Sequence, residues 1–171
     1  MNDLLEKLNQ PEYIHVLINH LPITGLFVAV VFLVISLFVK NKQMQVSALA
    51  LIAALSLSAW FVIDFGQQGY DRVYSQLYEE GQLWLKHHML MAEKWAFLFY
   101  LTSASALMGV VVAFKKEKFF KLVSWITLVL SMITLGVGGY IAEVGGQARH
   151  REFRVGDPPA DHGSDDHDHP H

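Results

Sequence analysis

The chain has 171 residues, of which 53% are hydrophobic and 17% charged, with a mean hydropathy of +0.30 and a formal net charge of −3. The absence of cysteine excludes disulfides, iron–sulfur clusters, thiolate zinc sites and covalently attached c-type haem. The acidic balance argues against a nucleic-acid-binding domain. Because the charged residues cluster between long uncharged runs, we predict a single helical bundle in a membrane.

Four apolar runs predict an all-α fold, an integral membrane four-helix bundle over residues 1–152. Each uncharged run has about 20 residues, which is enough for one crossing of a bilayer. Pro22 lies near the start of the first run, where a proline disturbs helical hydrogen bonding least. The predicted spans cover about residues 14–39, 44–63, 86–114 and 122–142.

Small residues recur at helical spacing in three of these spans. Such stripes let helices approach closely in a membrane, so we interpret them as packing seams. They are Ser47, Ala50, Ala54 and Ser58 in the second span, Thr102, Ala106, Gly109 and Ala113 in the third, and Ser124, Thr127, Ser131, Thr134 and Gly138 in the fourth.

The connection between the second and third spans, residues 66–86, is the longest. Tyr70, Tyr74 and Tyr78 recur every four residues there, which predicts a short amphipathic helix lying at the membrane interface. At the other end of the chain, prolines and a polar tract rich in histidine and aspartate predict a disordered tail over residues 153–171.

Five histidines lie beside predicted span ends: His15 and His20 at the start of the first, His87 and His88 at the start of the third, and His150 after the fourth. Alternate connections of a four-span bundle lie on opposite sides, so all five are expected on one side of the membrane. The two connections on the other side are short and rich in lysine, which predicts that the histidine side faces away from the cytoplasm.

Two neutral imidazoles from neighbouring helices can hold a haem iron in a bundle. Residues five apart on a straight helix point roughly 140° away from each other, so His15 and His20 would each need a partner on another helix. We expect His20 with His88 as the preferred axial pair, and His15 with His87 as the next. His150 would be a further ligand or, with Arg149, a partner for haem propionates. One or two haems b are compatible with this set.

Two other functions remain open from the residues. The first is binding or transport of a transition metal such as copper, zinc or nickel, because the facing histidines and a His/Asp tail are suitable ligands. The second is a structural subunit of a membrane redox complex, in which the histidines only anchor the spans. In the transition-metal alternative, the ligands would be His20 and His88, and in the tail His162, His167, His169 and His171.

The motifs around these histidines resemble a family of bacterial four-span membrane proteins, described as a domain of unknown function. Its first span opens with a motif like H-P-x-x-x-H-F-P-I, which His15, His20 and Pro22 match, while Val16 and Leu21 depart from it. Its third span opens with a histidine, and its fourth ends in Gly-Gly followed by Arg-His, which resembles Gly145-Gly146-Gln147-Ala148-Arg149-His150. The resemblance covers about residues 13–152.

The resemblance implies haem binding or electron transfer. Together with the histidines it predicts a b-type cytochrome-like protein of a bacterial inner membrane, with the histidine face and both termini periplasmic. Such a protein would pass electrons between a quinol and a soluble or membrane redox partner, as a homodimer or a subunit of a complex. It is expected to be an electron-transfer protein rather than a stand-alone enzyme.

Overall fold

A computed structural model describes residues 6–115, 117–154 and 156–159, and it is all-helical over these ranges. The helices are α1 (Pro11–Ile18), α2 (Leu26–Val39), α3 (Lys42–Tyr74), α4 (Glu79–Lys115) and α5 (Glu117–Arg149). A π-helical segment, Leu21–Gly25, links α1 to α2, and a single 3₁₀ turn, Arg151–Phe153, follows α5.

Helices α1 and α2 both pack on α3, α3 packs on α4, and α4 packs on α5. Helix α2 also contacts α5, so the helices form a closed bundle. Four stretches are long and apolar enough to cross a membrane: Pro11–Val39, Lys42–Tyr74, Glu79–Lys115 and Lys118–Arg149. The four apolar helices predicted from the sequence are thereby confirmed.

The first of these stretches is not a regular helix. Pro22 has no N–H to donate to the preceding turn, and the chain widens there into an i→i+5 pattern in which the N–H of Gly25 donates to His20 O at 3.0 Å. The break separates α1, which carries His15, from α2 within the same membrane-length stretch.

The predicted interfacial helix between the second and third spans is wrong. Helix α3 continues without a break to Tyr74, and residues 75–78 alone connect it to α4. Tyr70 and Tyr74 stack on its last turns with ring centroids 5.6 Å apart, and Tyr78 lies in the connection. Gly66, the first residue of the predicted connection, lies inside α3, and the side chain of His15 packs on it.

Helix α5 is also longer than predicted, because Gly145 and Gly146 lie within it rather than ending it. It ends at Arg149, and Arg154 then caps it: its Nε donates to Gln147 O at 2.8 Å and its Nη2 to Ala148 O at 3.2 Å. Arg154 belongs to the stretch predicted to be tail. The tail histidines at 162, 167, 169 and 171 lie outside the described residues.

Two of the three small-residue stripes are buried seams, those of the third and fourth spans. Where they meet, Thr102 and Thr134 share a hydrogen bond of 2.7 Å between their hydroxyl oxygens. The stripe predicted for the second span is wrong, because Ser47, Ala50 and Ala54 are exposed. The neighbouring face of α3 is buried instead: Ala48, Leu49, Ile52, Ala53, Ser56 and Ala59.

Candidate functional site

His15 is fixed on helix α1 by a contact with the backbone of α3. Its Nδ1 lies 2.8 Å from the carbonyl oxygen of Val62, and Gly66 lies one turn further along α3. A Cβ atom at Gly66 would come within 2.9 Å of that Nδ1. The imidazole therefore lies flat enough on α3 to reach a backbone carbonyl only because residue 66 has no side chain.

His88 is held in the same way by the other pair of helices. Its Nδ1, on α4, lies 2.9 Å from the carbonyl oxygen of Ile141 on α5. Gly145 again follows one turn later, and a Cβ atom there would come within 2.9 Å of the His88 Cε1. Two histidines on different helices thus use one local arrangement: a carbonyl acceptor followed, four residues later, by a glycine.

This arrangement sets the tautomer of both rings. A carbonyl oxygen only accepts hydrogen bonds, so Nδ1 must carry the proton and donate it. In the neutral imidazole Nε2 then has a free lone pair, and no described residue hydrogen-bonds Nε2 of either ring. A hydrogen bond from Nδ1 to a carbonyl is also what commonly orients a histidine that binds metal through Nε2.

The two imidazoles are neighbours at one end of the bundle. Their ring centroids are 6.4 Å apart and their planes are nearly perpendicular, at 85°. Metal–nitrogen bonds of about 2.0–2.1 Å on opposite sides of one ion put the ring centres roughly 6 Å apart. The observed separation therefore suits one metal ion shared between His15 and His88.

The number of protein ligands suits a metal whose remaining ligands belong to a cofactor. Among the described residues, no group of three or more His, Asp or Glu side chains is arranged to hold an ion. A bare zinc or copper ion generally needs three or four protein ligands, whereas a haem iron needs two, because the macrocycle supplies the other four. The pair thus fits haem better than a free ion.

A cavity of about 640 Å³ surrounds the pair at this end of the bundle. Helices α1, α3, α4 and α5 and the π-helical segment all line it, mainly with apolar side chains. Its volume is in the range of cofactor pockets, which are commonly about 300–1,000 Å³. Arg72 from α3 and Arg149 from α5 also line it. Arg72 is paired with Glu12, so Arg149 is the positive charge that an anionic group of a ligand would meet.

Two buried oxygen atoms in this cavity have no hydrogen-bond donor among the described residues. They are Oε2 of Glu12 and Oδ1 of Asn19, which lie on either side of His15 along the chain. The other oxygen of Glu12, Oε1, accepts a hydrogen bond of 2.8 Å from Arg72. Buried acceptors without donors are uncommon and suggest a ligand that donates hydrogen bonds.

The other three histidines of the predicted set do not line this cavity. His20 is exposed, and His87 packs edge-on against Trp84, with ring centroids 6.5 Å apart. The structure therefore brings together His15 and His88, one from each of the pairs expected from the sequence.

His150 lies beyond the end of α5, and its described contacts are local. Its Nδ1 lies 3.1 Å from Oε1 of Glu152, and its ring packs on Phe153. Hydrogen bonds from the backbone N–H of Glu152 and from the His150 side chain lower the pKa of the Glu152 carboxyl. Of the residues predicted to pair with haem propionates, Arg149 lines the cavity.

Sequence reasoning missed Gly66, Gly145 and the carbonyls of Val62 and Ile141 as parts of the site. Glycines near span ends were interpreted as residues that end a helix. A usable signal was present: both glycines lie within stretches that lack proline, so a close approach of another residue is as good an explanation as a helix end.

No protein-family model, no curated protein and no solved structure matches this chain. The interpretation of the site therefore depends on its own geometry.

Proposed function

We propose that this chain is a multi-pass membrane protein that binds one haem b between His15 and His88 and serves in electron transfer. The observation that carries the proposal is a pair of neighbouring imidazoles, 6.4 Å apart, each with Nδ1 hydrogen-bonded to a backbone carbonyl and Nε2 left available. A bound haem would supply one-electron redox chemistry.

The residues of this chain would have separate parts in such a site. His15 and His88 would hold the haem iron, and the carbonyls of Val62 and Ile141 would fix their tautomer and orientation. Gly66 and Gly145 would let the rings lie against α3 and α5. Arg149, exposed at the cavity edge, would pair with a propionate, since guanidinium groups bind carboxylates well.

The membrane location is supported by the outer surface of the bundle. Large apolar side chains are exposed along all four membrane-length stretches, among them Phe27, Trp60, Leu101 and Ile133. A soluble protein rarely exposes so continuous an apolar surface. The lysines at positions 40, 42, 118 and 121 cluster at the end away from the histidines, which supports a bacterial inner membrane orientation with the histidine end periplasmic.

A quinol is the electron donor that the cavity suits best. Quinol hydroxyl groups donate hydrogen bonds, and Glu12 Oε2 and Asn19 Oδ1 are buried acceptors in need of donors. The apolar lining would suit the quinol ring. We therefore propose a quinol-linked protein, working alone or in a larger redox complex, in which Glu12→Gln lowers quinol-driven reduction without removing haem.

The transition-metal alternative has less support from the described residues, because His15 and His88 are only two protein ligands. Its tail ligands lie outside the described residues. Metal analysis of the full chain, with and without residues 160–171, decides whether the tail binds copper, nickel or zinc.

The optical spectrum of the purified chain tests the main proposal. The protein is made in cells supplied with haem precursors and extracted in detergent. We expect about one haem per chain, with a Soret band that shifts on reduction. A colourless preparation that also takes up no added haemin would contradict the proposal, and metal analysis of that preparation would then separate the transition-metal function from a structural one.

A further inference from the structure

A second cavity, of about 510 Å³, lies at the end of the bundle away from the histidines. The end of α2, the start of α3 and the start of α5 enclose it. Three lysines line it: Lys40 from the connection between α2 and α3, Lys42 from the start of α3, and Lys121 from the start of α5. None of the described residues that line it is acidic.

The backbone adds to the positive charge of this cavity. Helix α3 begins at Lys42, and the free N–H groups of a helix start carry a partial positive charge. Asn41 caps this start, and its Oδ1 accepts from the N–H of Met44 at 3.1 Å, but the first turn of α3 has no acidic residue and begins with Lys42. Lys42 also lies near the ring of Phe120, with Nζ 6.0 Å from the ring centroid.

Lys40 occupies a backbone conformation that lysine seldom adopts. Its φ of 55° is left-handed, and it is the one positive-φ residue other than glycine in the part of the chain that the structure describes. Glycine or asparagine is the usual residue where a helix ends in this way. A lysine here is unfavourable for the backbone, which argues that its charge at this point has a use.

The rest of the cavity wall is apolar and extends along the membrane-length part of the helices. Val34 and Leu37 of α2 face Trp125 and Leu128 of α5 across it. A site that is cationic at the end of a bundle and apolar along its side matches an amphiphile with an anionic head. Inorganic phosphate would satisfy the lysines but leave the apolar wall without a partner.

We propose that this cavity binds an anionic phospholipid, with the headgroup phosphate on Lys40, Lys42 and Lys121 and an acyl chain along the wall formed by α2 and α5. Basic pockets between membrane helices bind anionic headgroups in this way. The proposal rests on the membrane location proposed above and not on haem.

Native mass spectrometry of the detergent-solubilised full chain tests it, with phosphatidylglycerol or phosphatidylcholine added to the micelles. We expect one phosphatidylglycerol to bind in preference to phosphatidylcholine, and Lys42→Gln/Lys121→Gln to weaken that binding by about tenfold or more. The matched control, Lys115→Gln/Lys118→Gln, removes the same charge from residues that do not line the cavity and should change binding less than about twofold.

Three results would overturn the proposal. Equal binding of both lipids would show that no headgroup is selected, and an equal loss in the control would show that general surface charge attracts the lipid. Displacement of phosphatidylglycerol by excess inorganic phosphate would show a free-phosphate site. Circular dichroism and the haem spectrum are recorded on each variant, so that misfolding or failure of the haem proposal is recognised separately.

Discussion

The bundle consists of two helical hairpins, the first formed by α1, α2 and α3 and the second by α4 and α5. Both hold a histidine in the same way, although the helices that carry the two histidines differ. In the first hairpin, α1 carries Glu12 and His15, and α3 carries Val62, Gly66 and Arg72. His15 donates to the Val62 carbonyl beside Gly66, and Glu12 pairs with Arg72 at 2.8 Å. Two points of attachment thus hold α1 on α3.

The second hairpin repeats these features in the same chain order. Glu80 and His88 lie on α4, Ile141 and Gly145 lie on α5, and Arg154 follows α5. His88 donates to the Ile141 carbonyl beside Gly145, and Glu80 pairs with Arg154 at 2.9 Å. The order of an acid, a histidine, a carbonyl, a glycine and an arginine is therefore present twice.

What differs is the support behind each histidine. His88 lies within α4, a continuous helix of 37 residues, whereas His15 lies on an eight-residue helix that a π-helical segment separates from the rest of its span. The arginines differ as well: Arg72 is 56% exposed at the cavity, while Arg154 is 12% exposed and caps α5. The helix that carries the histidine thus differs between the hairpins, whereas the carbonyl and the glycine that receive its imidazole are the same. We call this carbonyl–glycine arrangement the imidazole seat, and we infer that function depends on it.

Apart from the histidines themselves, the largest effect is expected at Gly145. Gly145→Ala places a methyl group against the His88 ring, and overfilling a packed contact costs about 1–3 kcal/mol. Haem affinity should fall roughly five- to 150-fold, which haemin titration of the apoprotein measures. Gly139→Ala is the matched control on the same helix, because nothing lies within 4 Å of its added Cβ, and it should keep haem. Equal haem affinities of the two variants would argue that the close contact between Gly145 and the His88 ring does not matter for haem binding.

Gly66→Ala should weaken haem binding in the same direction but less. The methyl group would meet the His15 ring, yet α1 is short and ends at the turn before the π-helical segment, so it can shift to relieve the contact. The same haemin titration measures the difference between the two hairpins. A larger loss at Gly66 than at Gly145 would contradict the view that α4 is the stiffer support.

The arginines should differ in their effect on stability rather than on haem. Arg154→Ala removes two hydrogen bonds to carbonyls at the end of α5 and one to Glu80, so unfolding should become easier by about 1–3 kcal/mol. Arg72→Ala breaks a more exposed pair and should cost less than about 1 kcal/mol. Denaturant titration in detergent compares them, and equal losses would remove this distinction between the hairpins.

The smallest effect is expected inside the second hairpin, away from its histidine. Thr102→Val removes one partner of the hydroxyl pair, but Thr134 still donates to the carbonyl of Leu130 on its own helix at 2.9 Å. Hydrogen bonds between membrane helices average about 0.6 kcal/mol, so a loss of this size is expected, with haem affinity unchanged. A marked loss of haem from this variant would mean that the seam, and not the seat, positions His88.

The sequence predicted the parts of the molecule that depend on local composition. Apolar runs of sufficient length set the number and order of the helices, and the crossings that they imply put His15 and His88 at the same end. Helix ends were predicted less well, because a glycine that receives a neighbouring side chain resembles a glycine that ends a helix. Gly66 and Gly145 are the two instances.

The pairing of the histidines was beyond the sequence for a different reason. The angle between His15 and His20 was derived for a regular helix, and the turn and π-helical segment that begin after Ile18 break that regularity. The register between α1 and α3 is marked by the hydrogen bond between the His15 imidazole and the Val62 carbonyl. The hydrophobic periodicity of the sequence does not indicate which carbonyl that imidazole contacts. The exposed stripe of α3 has a related cause, since the run is apolar on all sides and gives no signal of its buried face.

The most direct test of the central claim compares four single variants of the full chain: His15→Ala, His88→Ala, His20→Ala and His87→Ala. Their spectra are recorded in the oxidised and reduced states, with and without added imidazole. We expect the first two variants to lose haem or its two-histidine spectrum and added imidazole to restore it, while the last two variants are unchanged. Loss of haem from His20→Ala or His87→Ala, with His15→Ala or His88→Ala unaffected, would contradict it.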